Sequence, residues 1–181
     1  MHAEAELAQG PACSDGRDVQ PDATPRESAI WRALASVADP EIPVLSILDL
    51  GIVRYVHWRD TPGPHVGITP TYSGCPATEL IRTAVHDRLA AEGYANVTIE
   101  QVLAPPWSTD WLTSAARAKL AAFGIAPPAS AAERARGAVP VLCPRCGSSA
   151  TRRVSEFGST PCKAHYSCRD CLEPFDHFKC L

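Results

Sequence analysis

Ile52-Val53-Arg54-Tyr55-Val56-His57-Trp58, Asp60-Thr61-Pro62-Gly63-Pro64, His65-Val66-Gly67-Ile68-Thr69-Pro70-Thr71 and Ser73-Gly74-Cys75-Pro76 follow one another almost without interruption. The first run is rich in β-branched and aromatic side chains and predicts a strand. The Pro/Gly cluster predicts a hairpin loop, and His65–Thr71 the returning strand, with Val66 and Ile68 turned inward. Ser73–Pro76 is a tight turn into a helix over about Pro76–Glu92, with Leu80, Ile81, Ala84, Val85, Arg88 and Leu89 on its buried side and Gly93 as its stop.

Working outward, Thr24-Pro25-Arg26-Glu27 announces an earlier helix. Threonine caps, proline suits the first helical position and Glu27 completes a capping box. Ile30, Trp31, Leu34 and Val37 form its apolar stripe, and Asp39-Pro40 ends it. The connector Glu41–Gly51 is turn-rich, with one helical turn expected at Ser46–Leu50. Downstream, Asn96–Leu103 predicts a third strand, broken by Ala104-Pro105-Pro106. Ser108 then caps a last helix carrying Trp111, Leu112, Ala115, Ala116, Leu120 and Phe123, stopped by Gly124. The order αββαβα predicts a small α+β domain over residues 24–124. Residues 1–23 read as a disordered lead-in without the apolar core of a signal peptide, and 125–139 as a linker with a turn of helix around Ala129–Arg136.

Residues 140–181 are governed by cysteine. Six of the eight cysteines in the 181-residue chain fall here. Cys143-Pro144-Arg145-Cys146-Gly147 and Cys168-Arg169-Asp170-Cys171 are two C-x-x-C knuckles separated by 21 residues, near the usual gap of a four-cysteine zinc site. So short a tail cannot easily bury a core of its own, and Zn²⁺ bound by thiolates would supply its folding energy. Thr151–Phe157 and Lys163–Ser167 predict a hairpin, with Phe175 and Phe178 on a third strand, the layout of a zinc ribbon. Cys162, His165, His177 and Cys180 are alternative ligands, but the paired knuckles favour Cys143, Cys146, Cys168 and Cys171. Cys162, on a loop at the hairpin tip, reads as a packed or an exposed free thiol, or as a ligand shared with a partner.

Composition narrows the remaining classes. The net charge of −3 argues against a general nucleic-acid binder. Arg145, Arg152, Arg153, Lys163, Arg169 and Lys179 could supply phosphate contacts, but they face four acids in the same tail. No apolar run approaches the roughly 18 residues of a membrane span, so neither nucleic acid nor membrane is expected as a partner. Free thiols without a secretion signal suit a reducing cytoplasm.

Cys75 is the chemically notable residue of the first domain. A helix N-terminus stabilises a thiolate, which could ligate iron or attack an electrophile; a small buried filler is the alternative. A cysteine hydrolase would need His57, His65 or His86 brought to it by folding. Asp39 and Glu41 could add hard donors for Fe²⁺, or merely end a helix and face water. Thr69, Thr71, Tyr72 and Ser73 surround Cys75 with hydroxyls.

Asp39-Pro40-Glu41-Ile42-Pro43-Val44-Leu45-Ser46-Ile47-Leu48-Asp49-Leu50-Gly51 resembles the signature of the MIP-type iron–sulfur assembly domain, and Thr69-Pro70-Thr71-Tyr72-Ser73-Gly74-Cys75-Pro76 its second motif. With Phe157-Gly158-Ser159-Thr160-Pro161-Cys162-Lys163-Ala164 and Glu173-Pro174-Phe175-Asp176-His177-Phe178 in the tail, residues 24–181 resemble the PaaD family of the phenylacetyl-CoA epoxidase complex. The resemblance implies a non-catalytic accessory beside a bacterial di-iron oxygenase and its flavin and iron–sulfur reductase, in phenylacetate catabolism. It implies assembly or delivery of iron or iron–sulfur clusters, with Cys75 as transfer ligand and Asp39, Glu41 and Thr71 shaping its pocket. One cysteine cannot hold a cluster alone, so a homodimer or a client, the reductase or oxygenase subunit, would share it. The rival expectation is a structural adaptor bridging subunits.

Overall fold

The computed structural model describes residues 23–58, 62–72 and 74–180. The expected lead-in lies outside the described residues except for Ala23, as do part of the hairpin loop and Ser73. Helix α1, Pro25–Leu34, begins as its sequence dictates. The Thr24 hydroxyl accepts from the Glu27 amide, and the Glu27 carboxylate accepts from the Thr24 amide at 2.8 Å. The helix stops at Leu34, short of the expected Asp39-Pro40. Val37 is still buried, because the chain turns inward there and the Ile47 amide donates to the Val37 carbonyl.

Residues 37–47 form a tight irregular loop. Pro40 and Pro43 lack the amide a ladder needs, and an Asp39 oxygen accepts from the Glu41 and Ile42 amides at 2.9 and 2.7 Å instead. The loop turns Ile42, Leu45 and Ile47 into the core. The turn expected at Ser46–Leu50 is present: the Leu50 amide donates to the Ser46 carbonyl, and the Asp49 carboxylate accepts from the Ser46 amide.

Strands β1 (Val53–His57) and β2 (His65–Ile68) pair antiparallel. Helix α2 (Ala77–Ala91) crosses over to β3 (Thr98–Gln101), which lies parallel to β2. The sheet order is β1-β2-β3. Val56, Val66 and Ile68 meet Ile30, Leu34, Val85 and Leu89 of the two helices, all at most 1% exposed. Each such side chain contributes about 1.5–3 kcal/mol by leaving water. Gly67 is required by close approach, since a Cβ there would lie 2.3 Å from the Tyr55 ring.

Three expectations fail in detail. Leu80 is 62% exposed and Phe123 52% exposed, so neither belongs to the buried faces. The last helix is divided. Ser108 caps only a 3₁₀ turn, Thr109–Trp111, while Thr113 caps α3, Ser114–Phe123, which ends at Gly124 with φ +91°. Residues 125–139 are not simply a linker. Ile125–Ala126 form strand β4, and the short α4, Ala131–Ala135, follows.

The tail folds around β5 (Thr151–Ser155), β6 (Lys163–Cys168) and β7 (Pro174–Phe178). Neighbours β5, β6 and β7 run antiparallel, and β4 pairs parallel with β7, giving the order β4-β7-β6-β5. The two phenylalanines of β7 are an odd number of residues apart, so the pleat sends them to opposite faces. Phe175 packs with Cys143 and Cys168. Phe178, 1% exposed, joins the first domain's core and meets Trp107 edge-on with ring centroids 6.1 Å apart.

Candidate functional site

The first site is the tail's sulfur cluster. The ligand atoms of Cys143, Cys146, Cys168 and Cys171 all lie within 4.8 Å of one another, and two pairs, Cys143–Cys171 and Cys146–Cys168, stand 3.6 Å apart. A tetrahedron with metal–sulfur bonds of about 2.3 Å has edges of roughly 3.8 Å, so the donors fit zinc. Backbone geometry makes both knuckles. Gly147 turns at φ +75° and its amide donates to the Cys143 carbonyl. Leu172 takes the same left-handed position in the second knuckle at φ +62°. The Cys171 amide points at the Cys168 sulfur, 3.5 Å away, and holds that thiol down to about 7.

The alternative tail ligands are engaged elsewhere. His165 faces Asp176 at 3.4 Å and His177 the Ala126 carbonyl at 3.1 Å. Cys180 is exposed near Arg134. Among the basic residues considered for phosphate contact, Lys163 is only 4% exposed, and Arg145 and Arg153 pair with Glu173 and Glu156.

The second site is a pocket where the two units meet. Its interior, open mouth included, is about 440 Å³, and its lining contains Asp39, Glu41, Thr71 and Cys75 together. The fold brings them there by two devices. The 37–47 loop carries the carboxylates, and the β2–α2 turn carries Cys75, whose amide donates to the Tyr72 carbonyl and whose carbonyl accepts from Thr78. Pro76 is the N-cap residue rather than the first helical one. Cys75 is half-buried, with polar groups on the same wall, and is not enclosed in hydrocarbon. His57, His65 and His86 do not line the pocket. His57 stacks on Tyr55, His65 faces Glu100, and His86 faces Asp87.

Burial raises the Asp39 carboxyl above its ordinary range, against the pull of the Ile42 and Glu41 amides and of Lys163. Burial also raises Glu41, with Asp39 adding to the effect. Tyr72 is pushed up to about 12 by burial and by the neighbouring Cys75.

The sequence did not point to two further lining residues, Cys162 and Phe178, which the ribbon contributes. Cys162, on the loop at the hairpin tip, is the packed form of free thiol, 5% exposed, with its sulfur 3.0 Å from the Thr160 hydroxyl and 4.0 Å from a Glu41 carboxylate oxygen. It lies 121 residues from Glu41 in sequence, and no periodicity or spacing reports a contact of that range.

Comparison with known proteins follows the same division. Residues 27–100 match the family model described as iron–sulfur cluster assembly protein, and residues 127–179 the model described as PaaD zinc beta ribbon domain. Over 159 residues, 88% of this chain and 96% of its relative, the chain is 48% identical to an Escherichia coli (strain K12) protein whose name is that of the D component of a "Putative 1,2-phenylacetyl-CoA epoxidase". A crystal structure of a domain of unknown function from Bacillus anthracis is 27% identical, covering 52% of this chain and 90% of its own, with a TM-score of 0.49. A conserved hypothetical protein from Thermotoga maritima is also 27% identical, covering 54% and 94%, with a TM-score of 0.44.

Proposed function

The chain belongs to the PaaD family of phenylacetyl-CoA epoxidase subunits, and from that premise we propose that it is an accessory subunit that assembles iron or iron–sulfur clusters or hands them to the oxygenase or reductase subunits. The observation that carries this reading is the setting of Cys75: a half-buried sulfur on a strand-to-helix turn, in a pocket shared with Asp39, Glu41 and Thr71. Sparse ligation suits cargo that must leave. A thiolate grips iron, the carboxylates lend charge, and Thr71 shapes the wall. A client's own ligands, or those of a second copy, complete the coordination and draw the cargo away.

In the tail, Cys143, Cys146, Cys168 and Cys171 would hold zinc, which supplies folding energy to a unit with little apolar core. No helix among the described residues is long and apolar enough to cross a membrane.

The test is to express the protein with iron and sulfide and compare it with Cys75→Ser. Lower cluster occupancy and weaker activation of the oxygenase are expected; equal values remove Cys75 from the mechanism. A specific observation favours a second reading, a structural adaptor. Val154, Phe157, Leu142 and Leu172 are 50%, 64%, 52% and 76% exposed on the ribbon, an apolar stock suited to docking. Thiol alkylation at neutral pH separates the two readings, since an adaptor predicts an inert Cys75 and a carrier a reactive one.

A further inference from the structure

We propose that the ribbon supplies the second thiolate of the pocket: Cys75 and Cys162, with the Glu41 carboxylate, form one site for a thiophilic divalent cation, spanning the two domains. This rests on the reading of Cys75 as a transfer ligand and adds to it a donor from the other unit.

Four observations converge. Cys162 and Cys75 line the same pocket, although one belongs to the four-sulfur tail and the other to the α+β domain. The Cys162 sulfur stands 4.0 Å from a Glu41 oxygen, so the thiol is directed at the carboxylate. The Tyr72 hydroxyl lies against Cys75 and feels Glu41 and Cys162 as well. Finally, Lys163, adjacent to Cys162 and 4% exposed, exerts a positive field on Asp39, Glu41 and Cys162.

The charges close. With both thiols protonated, two carboxylates and one ammonium leave the pocket at −1. A divalent ion that displaces the two thiol protons to solvent forms two metal–sulfur bonds and leaves the total at −1. No electron moves. Two thiolates with one carboxylate suit a borderline cation such as Fe²⁺ or Zn²⁺ better than Mg²⁺ or Ca²⁺. Among the described residues, only the tail cysteines form a set of three or more donors all within 4.8 Å of one another. Retreat of the ribbon would remove one of the pocket's ligands.

The test uses Co²⁺ as probe in the absence of oxygen, because its thiolate charge-transfer band counts sulfurs. Apoprotein given Co²⁺ at the tail sets the four-sulfur reference. Full-length protein holding zinc in the tail is then titrated with Co²⁺. Two pocket thiolates predict a band of about half the reference intensity, and one thiolate about a quarter. Cys162→Ser and Cys75→Ser should each lower the wild-type pocket band by about half, and the double variant should abolish it. A quarter-intensity band in the wild type, unchanged in Cys162→Ser but lost in Cys75→Ser, overturns this inference and leaves the carrier reading standing. No pocket band, or one unaffected by Cys75→Ser, overturns both. The wild-type intensity decides even where a variant fails to fold, which zinc content and melting temperature report.

Discussion

Truncating Phe178 to alanine should open the junction between the ribbon and the α+β domain without dismantling either. The side chain is 1% exposed, packs edge-on to Trp107, and lines the pocket beside Ile42, Leu50, Ile52, Ile68 and Ile81. Removing a phenylalanine from such a site costs about 3–5 kcal/mol, of which the aromatic pair accounts for roughly 0.5–1.5. The tail keeps its own four sulfurs and Phe175, so most of this loss falls on docking. At 1.4 kcal/mol per decade, about 4 kcal/mol moves the closed-to-open equilibrium by nearly three decades. Cys162 is protected in the closed form, and its alkylation rate, read by peptide mass mapping, should rise steeply while zinc content stays at one per chain. Phe175→Ala is the control. It removes the same hydrocarbon from the opposite face of β7 and should weaken metal retention while leaving Cys162 protected. Wild-type labelling of Cys162 in Phe178→Ala, or equal labelling in both variants, would refute the assignment of the two faces.

Glu27→Ala should destabilise the protein by about 1–3 kcal/mol in chemical denaturation, because the carboxylate accepts from the amides of Thr24 and Trp58 and both would be left unpaired. Gly67→Ala should cost about 1–3 kcal/mol by forcing the Tyr55 ring off β2; adding Tyr55→Ala should recover part of the loss, and simple additivity would count against the clash. Burial lowers the His177 pKa below 6.5. The unfolded chain therefore takes up the proton first, the tail is fully stable above that value, and stability declines as pH falls toward the folded pKa. Melting of wild type and His177→Gln should differ in slope between about pH 7 and pH 5, and parallel profiles would exclude the histidine. Leu172→Gly should raise the melting temperature: a left-handed leucine costs roughly 1–2 kcal/mol, more than the added freedom of an unfolded glycine. A lower melting temperature would place the lost leucine packing above the strain.

What the sequence disclosed follows the range of the interactions involved. The Thr24–Glu27 capping box is a contact between residues three apart, and it starts α1 where expected. The cysteine quartet is legible because two local knuckles each fix half of it. The end of α1 is not, because Val37 continues the helical apolar spacing while its burial comes from a change of chain direction. Ser108 and Thr113 both carry capping hydroxyls, and spacing alone does not choose between them. Cys162 was the least legible of the pocket residues. Its meaning depends on how β7 presents Phe178 to the first domain, a tertiary fact. Asp39, Glu41, Thr71 and Cys75 were brought into one pocket only by the family resemblance, and the 37–47 loop and the β2–α2 turn are what gather them.

The two-residue strand β4 sets a rule for cutting this molecule. Ile125 and Ala126 follow α3 directly, yet they pair in parallel register with Asp176 and His177 of β7. A graft of the ribbon that begins at residue 127, where the family's zinc-ribbon match starts, leaves that seam behind on the donor and exposes a raw sheet edge along β7. One that begins at Gly124 carries the seam with it. Hybrids between relatives should therefore keep Ile125 and Ala126 with the ribbon.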